Sequence, residues 1–92
     1  MKYTARPGIV MTKICNQIVL IPTHEAAKIC PTVTALSFFH ALVYKRVAKQ
    51  EDPFALIRMF SAFQACPEEE AAMRIQVILD ELTDKKYLIK EE

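Results

Sequence analysis

The sequence of 92 residues has one glycine, Gly8, and no tryptophan. A glycine-rich loop for binding phosphate is therefore excluded, because such a loop needs several glycines in a short stretch. The chain also lacks a motif of metal-ligating residues and the paired acid and base of an active site. We therefore expect neither an enzyme nor a bound cofactor.

The chain has little excess charge and no long apolar run. Its formal net charge of +1 gives no general attraction to nucleic acid or to an anionic membrane. The longest apolar run, residues 18–22, is far shorter than the roughly 20 residues that span a bilayer. The amino terminus also lacks the apolar core of a signal peptide. These absences predict a cytoplasmic protein with neither nucleic acid nor a membrane as its partner.

Cysteine is scarce, and its spacing is irregular. The three cysteines, Cys15, Cys30 and Cys66, are an odd number and contain no C-x-x-C pair, which argues against a disulfide framework and an ordinary structural zinc site. His24 and His40 could complete a ligand set or a catalytic Cys/His pair only by an arrangement in space that the sequence does not indicate. Reduced, mostly buried thiols with unrelated histidines fit the pattern better.

The residues that are present predict one globular domain spanning positions 1–92. The hydrophobic content of 52% and the charged content of 25% are ordinary for a chain that folds around its own core. The β-rich runs "GIVMTKI" and "IVLIP", separated by "CNQ", predict a hairpin in which Asn16 takes a positive φ. The lead-in "MKYTAR" either pairs at a sheet edge or frays. Residues 23–29 could make a helical turn, but the segment is too short for a stable helix by itself and is interpreted as a connection.

A third strand runs almost directly into a helix. Residues 32–36 alternate with a period of two and are rich in β-branched side chains, which favours a strand. After Ser37, which can cap a helix, the apolar residues take helical spacing from Phe38 to about Ala48. If this strand lies at an open edge, it can accept a strand from another chain.

Two more helices follow the first. Asp52 and Pro53 are a cap and a first-turn residue for the second helix. Pro67 and three glutamates start the third, which continues to about Asp84 with a core stripe at i, i+3, i+4 and i+7 spacing. Leu88 and Ile89 then indicate a short terminal segment that packs back against the domain. The prediction is an α+β fold, an amino-terminal three-stranded antiparallel sheet followed by three helices, similar to a winged helix-turn-helix. The residues expected to fill its core include Phe38, Phe39, Phe54, Phe60 and Phe63.

In this order of segments the chain resembles the PqqD-like family. The likeness spans nearly the whole chain and is carried by "RPGIV", "IVLIPT", "HEAAK", "TVTALS" and "EEEAAMRIQVILDELTDKKYL". The resemblance implies a small recognition domain that binds the leader segment of a ribosomally made precursor peptide. Such a domain presents the remainder of the peptide to a modifying enzyme, frequently a radical S-adenosylmethionine enzyme. The family often has glycine in the hairpin and after the third helix, where this chain has Asn16 and Lys86.

The same resemblance implies where the leader binds. In the family the leader pairs with the edge of the third strand and lies in the groove between that strand and the third helix. In this sequence the groove corresponds to the helix from Glu68 and to an edge formed by Thr32, Val33, Thr34, Ala35 and Leu36.

The third predicted helix supports a groove independently of the family. Met73 and Val77 form a second apolar pair at i, i+4, set off from the core stripe and flanked by Glu70, Arg74 and Glu81. An apolar pair with charged neighbours is typical of a shallow peptide groove, in which Arg74 could meet an acidic leader residue. The alternative is that Met73 and Val77 are peripheral core or scattered surface residues.

The main alternative function is a winged helix-turn-helix regulator that binds DNA. Its third helix would enter the major groove and meet phosphates through basic side chains. In this chain that helix carries six carboxylates against the single cation Arg74, so its field would repel a phosphate backbone. The first helix does have a basic cluster, Lys45, Arg46 and Lys49, which a solvated helix face or an acidic partner explains equally well.

Overall fold

The computed structural model describes residues 2–29 and 32–91. Within these ranges the chain forms the strands β1 (Lys2–Ala5), β2 (Ile9–Ile14), β3 (Gln17–Pro22), β4 (Thr34–Leu36) and β5 (Leu88–Glu91). The helices are α1 (Glu25–Ile29), α2 (Phe38–Ala48), α3 (Pro53–Gln64) and α4 (Glu68–Asp84). The predicted α+β fold with an amino-terminal three-stranded antiparallel sheet is confirmed.

The three-stranded sheet has the order β2-β3-β4, with both pairs antiparallel. Ile14 pairs with Gln17, so Cys15 and Asn16 alone form the hairpin turn. Their φ angles are 49° and 64°, as a type I′ turn requires. Asn16 tolerates this conformation because its short side chain can bond locally. The predicted hairpin and the positive φ of Asn16 are confirmed.

The two ends of the chain form a separate two-stranded sheet. β1 pairs antiparallel with β5, from Lys2 opposite Glu91 to Ala5 opposite Leu88. The amino-terminal lead-in therefore pairs and does not fray, and the segment predicted to pack back is β5. Because β1 pairs with β5, it does not cover the edge strand β4 of the larger sheet.

The helices begin where their capping residues predict. The Ser37 hydroxyl accepts from the His40 backbone N–H at the start of α2, and the Asp52 carboxylate accepts from the Phe54 N–H at the start of α3. The ends of α2 and α4 also agree with the prediction. One expectation was wrong: residues 25–29, expected to be a connection, form the helix α1 and bury Ala26.

The core lies between the sheet and α2, α3 and α4. Its fully buried large side chains are Leu20, Val43, Leu82, Tyr87 and Leu88. Of the core stripe predicted for α4, Ala72 is only partly buried, and the other five residues are buried: Ala71, Ile75, Ile78, Leu79 and Leu82.

The expectation that all five phenylalanines fill the core was wrong. Phe60 is buried and Phe39 packs against the core, whereas Phe38, Phe54 and Phe63 are more than half exposed. The buried residues of α3 are Leu56 and Phe60, which lie one turn apart. Periodicity had predicted an apolar stripe of Phe54, Ile57, Phe60 and Phe63 for this helix. It could not identify the buried face, because α3 has apolar residues on every side.

The expectation of mostly buried thiols was also wrong for Cys15, which is exposed in the hairpin turn, while Cys66 is partly buried. Cys30 lies outside the described residues. In residues 2–29 and 32–91, no three His, Cys, Asp or Glu side chains come together as a metal ion would need.

A Schellman turn ends α4 and leads into β5. The Tyr87 N–H donates to the Leu82 carbonyl and the Lys86 N–H to the Thr83 carbonyl, both at 3.0 Å, which is the paired pattern of this motif. Lys86 takes a φ of 73°, a left-handed conformation that glycine adopts more readily. Arg6 secures the turn to the amino-terminal segment, because its Nε donates to the Lys86 carbonyl at 2.6 Å.

Candidate functional site

The strand β4 lies at an edge of the three-stranded sheet. It pairs with β3 through Ile18 opposite Leu36 and Leu20 opposite Thr34, and among the described strands it has no neighbour on its other side. The predicted open edge is confirmed. The strand is shorter than expected: Thr32 and Val33 precede it, so only Thr34, Ala35 and Leu36 of the predicted edge are in the ladder.

The register identifies which backbone groups face outward. Residues that flank a two-residue hairpin turn form a hydrogen-bonded pair, and such pairs alternate along an antiparallel ladder. Counting from Ile14 and Gln17, the β3 residues Ile18 and Leu20 direct their N–H and C=O groups toward β4. Thr34 and Leu36 therefore bond to β3, and the N–H and C=O of Ala35 point away from it. An added strand would bond at Ala35.

The open edge is held in place from inside the protein. Tyr87 is fully buried, and its hydroxyl donates to the Thr32 carbonyl at 2.5 Å. The same hydroxyl lies 2.5 Å from Thr34 Oγ1. These contacts attach the start of β4 to the turn after α4, so the edge strand has a defined position although it is only three residues long.

A cavity of about 230 Å³ separates the end of β4 from the last turns of α4. Its walls are formed by Ala35, Leu36, Ser37, His40, Glu81, Leu82 and Lys85. The His40 ring bridges the two sides, with Nε2 at 2.8 Å from the Glu81 carboxylate and Nδ1 at 2.6 Å from the Ser37 hydroxyl. Because a carboxylate only accepts, Nε2–H donates to Glu81, and in the neutral ring Nδ1 accepts from Ser37. The groove therefore has a polar end.

Exposed apolar side chains lie on α4 before the turns that line this cavity. Met73 and Val77 are 71% and 55% exposed on α4, so the alternative that they are peripheral core is excluded. The exposed rings of Phe38 and Phe63 contact each other with centroids 5.9 Å apart. We call Phe38, Phe63, Met73 and Val77 the apolar patch.

Two polar contacts link the helices that carry the residues of the apolar patch. Arg74 of α4 contacts the Gln64 side chain, which directly follows Phe63, and Glu81 of α4 contacts His40 near the start of α2. These contacts attach the segments that carry Phe38 and Phe63 to α4, the helix that carries Met73 and Val77. Large apolar side chains grouped on a surface, with polar groups around them, are typical of an interaction site.

The charged residues predicted for the groove are partly engaged with each other. The Arg74 guanidinium lies 2.7 Å from the Glu70 carboxylate, and both side chains are nearly half exposed. An exposed ion pair of this kind contributes only about 0 to 1 kcal/mol. A carboxylate of a bound peptide could therefore replace Glu70 at little cost.

Four residues of this region were missed by sequence reasoning: Ser37 and His40 as parts of the groove, and Phe38 and Phe63 as exposed side chains. One signal could have found Phe38. Adjacent residues on a helix point about 100° apart, so Phe38 and Phe39 could not both lie at the centre of the buried face. Only Phe39 reaches Phe60, with ring centroids 5.1 Å apart.

A larger cavity of about 760 Å³ lies on the opposite flank of α4. Its walls include Tyr3, Val47, Leu56, Ile57 and Gln76, and none of the predicted site residues lines it. Across its margin the Gln76 amide donates to the Tyr3 hydroxyl at 2.8 Å. This cavity is separate from the groove at β4.

Comparison with known proteins gives a match of fold. No family model matches the sequence, and no curated protein matches it. A solved structure described as "Lasso peptide synthetase B1 complexed with the leader peptide" is similar to this chain with a TM-score of 0.78. The match covers 98% of this chain and 100% of that chain at 14% sequence identity, so it establishes a shared fold.

In the part of the chain that the structure describes, none of the helices combines the length and apolar character that crossing a membrane requires.

Proposed function

We propose that this chain binds the leader segment of a ribosomally made precursor peptide and presents the rest of that peptide to a modifying enzyme. The observation that carries the proposal is the open edge of β4 beside a groove with an exposed apolar patch. The fold is that of a protein solved with a leader peptide bound. The resemblance to the PqqD-like family supports the same role and favours a radical S-adenosylmethionine enzyme as the partner.

The leader adds to the sheet as a strand next to β4. Its backbone forms hydrogen bonds with the N–H and C=O of Ala35. These main-chain bonds contribute affinity whatever the leader's sequence. Residues on either side of the one paired with Ala35 direct their side chains toward α4, because side chains alternate along a strand. These side chains enter the groove, and the choice among peptides is made there.

The groove sets what the leader must carry. The apolar patch accommodates large apolar or aromatic side chains, which stack favourably against Phe38 and Phe63. The Arg74 guanidinium pairs with a carboxylate of the leader in place of the Glu70 carboxylate. At the other end, the His40–Glu81 bridge meets a polar leader residue.

Peptide titration tests this proposal with acidic substitutions in the patch. The probe, called the leader peptide below, is a fluorescent peptide selected for binding to this chain from a random peptide display library or taken from any short precursor found encoded next to it. In Val77→Asp and Met73→Asp a carboxylate would be desolvated against the bound peptide, so leader affinity should fall by about tenfold or more. Folding should persist in both variants because both positions are exposed.

Ala55→Asp is the matched control. Ala55 is exposed on the first turns of α3, away from the apolar patch, so the same charge should leave peptide affinity unchanged. Circular dichroism confirms folding of each variant. Unchanged leader affinity in folded Val77→Asp and Met73→Asp would contradict the proposed site.

A further inference from the structure

The strand β4 and the helix α4 run past each other in opposite directions. The start of β4 is attached to the turn after α4, because Thr34 Oγ1 lies 2.5 Å from the Tyr87 hydroxyl. The end of β4 is attached earlier in α4. There His40, which is bonded to Ser37, has Nε2 at 2.8 Å from the Glu81 carboxylate. A leader strand that adds next to β4 and continues past its end therefore extends along α4 toward the amino end of that helix.

Val77 is the exposed apolar residue that such a strand reaches next. It lies four residues before Glu81 and three residues after Arg74, so the three side chains lie along one face of α4. Arg74 contacts Gln64 at the end of α3, and Glu81 contacts the residues at the start of α2. Val77 lies between these two contacts and is 55% exposed. Its side chain is therefore accessible to a peptide.

The spacing of residues along α4 matches the spacing along an extended peptide. Glu81 and Val77 are separated by about 6 Å along the helix axis, since each residue rises by about 1.5 Å. Alternate residues of a strand have side chains on the same side and are about 6.6 Å apart. Two leader side chains that are two residues apart can therefore contact Glu81 and Val77 at once.

The cavity at Glu81 favours an uncharged side chain that donates a hydrogen bond. The half-exposed Glu81 carboxylate accepts from His40 through Oε2, and a carboxylate can accept from further donors. Lys85 also lines this cavity, so a leader carboxylate would meet the Glu81 charge and a leader cation would meet the Lys85 charge. A hydroxyl or an amide group avoids both repulsions. Leu36 and Leu82 surround the carbon atoms of such a side chain.

The surface at Val77 favours an apolar side chain. Phe38 and Phe63 are both more than half exposed, as Val77 is, and the two rings contact each other with centroids 5.9 Å apart. A leader side chain that covers these groups is stabilised by about 25 cal/mol for each Å² of apolar surface removed from water. The two neighbouring turns of α4 therefore favour different chemistry.

We infer that successive turns of α4 select two leader side chains that are two residues apart. One of them carries a hydroxyl or amide group and contacts Glu81, and the other is apolar and contacts Val77. This inference rests on the proposed function and names the class of peptide that the chain selects. Because it concerns the interval between two positions, it can be tested without knowledge of the natural leader.

The experiment selects binders from a random peptide display library with wild type, Glu81→Lys and Val77→Arg. In Glu81→Lys two cations line the cavity, so an acidic residue should replace the hydroxyl or amide residue at one peptide position. In Val77→Arg an acidic residue should replace the apolar residue at a second position. In the aligned peptides these two positions should be two residues apart. Circular dichroism verifies that each variant is folded.

Asp80→Lys is the matched control. It makes the same change of charge one residue before Glu81, at an exposed position that points about 100° away around the helix. It should select the same peptides as wild type. Titration adds a quantitative measure: a wild-type binder in which Glu replaces the hydroxyl or amide residue should bind Glu81→Lys at least about fivefold more tightly than it binds wild type.

Four results overturn this inference: a separation other than two, the same position changed in both variants, no change in either variant, or the same change in Asp80→Lys. Strand addition still stands after any of them if the selected peptides bind folded Ala35→Pro more weakly than wild type. Selected peptides that bind Ala35→Pro as tightly as wild type, or a selection that yields no binder, would be the failure of the proposed function itself.

Discussion

The hydroxyl of buried Tyr87 lies 2.5 Å from Thr34 Oγ1 and connects the turn after α4 to the edge strand β4. Because the Tyr87 hydroxyl gives its proton to the Thr32 carbonyl, the Thr34 hydroxyl is the donor of the bond between these two side chains. A three-residue strand with one neighbour has few bonds of its own. This contact therefore helps to fix the position of the edge that we propose receives the leader.

Replacing Tyr87 by Phe tests how much the edge depends on that hydroxyl. The ring stays in the core, but the Thr34 hydroxyl loses its acceptor and the Thr32 carbonyl must turn to water. We expect the free energy of unfolding to fall by about 1 to 2 kcal/mol and amide exchange in β4 to become faster than in β2. Urea denaturation and hydrogen exchange measure the two effects. Equal exchange rates in wild type and variant would show that β4 is held by its pairing with β3 alone.

The exposed and buried phenylalanines should respond differently to truncation. Phe60 is 2% exposed and Phe63 is 62% exposed, although both lie on α3 one turn apart. Phe60→Ala should lower the free energy of unfolding by about 3 to 5 kcal/mol, the cost of a cavity at a large aromatic residue. Phe63→Ala should lower it by about 1 kcal/mol or less, through loss of the ring contact with Phe38.

Phe63→Ala should also differ from wild type in its affinity for the leader peptide. Phe63→Ala should bind leader several-fold more weakly while it remains folded, because the apolar patch loses one of its two rings. Thermal unfolding and peptide titration of the same samples separate stability from binding. A large loss of stability in Phe63→Ala would show that Phe63 belongs to the core and not to the apolar patch.

The turn after α4 contains backbone strain that glycine would relieve. Lys86 has a φ of 73°, a left-handed conformation that costs about 1 kcal/mol or more for a residue with a Cβ. Lys86→Gly should therefore raise the free energy of unfolding by about 0.5 to 1 kcal/mol, the remainder being lost to the greater freedom of the unfolded chain. The bond from Arg6 to the Lys86 carbonyl uses the backbone and should persist.

Lys85→Gly is the control for that substitution. Lys85 has a φ of −82°, which every residue adopts readily, so glycine there should stabilise nothing. Urea denaturation of both variants measures the difference. Stabilisation by Lys85→Gly equal to that by Lys86→Gly would show that the effect does not arise from the left-handed position.

Much of the fold could be predicted from the sequence because its cues are local. The Ser37 hydroxyl caps the start of α2, and three glutamates follow Pro67 in the first turn of α4, so both starts have signals in nearby residues. The stripe of α4 could be predicted because charged residues mark its solvent side. The helix α1 could not be predicted, since its five residues form a stable helix only with tertiary packing around Ala26.

The site was predictable only in part. Met73 and Val77 could be recognised because they stand apart from the stripe of their own helix. The exposure of Phe38 and Phe63 depends on which side of α2 and α3 the neighbouring elements cover, and local pattern does not contain that information. The open edge of β4 likewise depends on β1 pairing with β5 at the other end of the chain.

The most direct test of the account is leader binding to Ala35→Pro. Proline removes the Ala35 N–H, which points to the open edge, and leaves the bonds of Thr34 and Leu36 to β3 in place; edge strands tolerate proline for this reason. Ala35→Val keeps the N–H and is the control. Titration with fluorescent leader peptide should show affinity reduced by about tenfold or more for Ala35→Pro and near wild type for Ala35→Val, with both variants folded. Wild-type affinity in folded Ala35→Pro would contradict strand addition at β4.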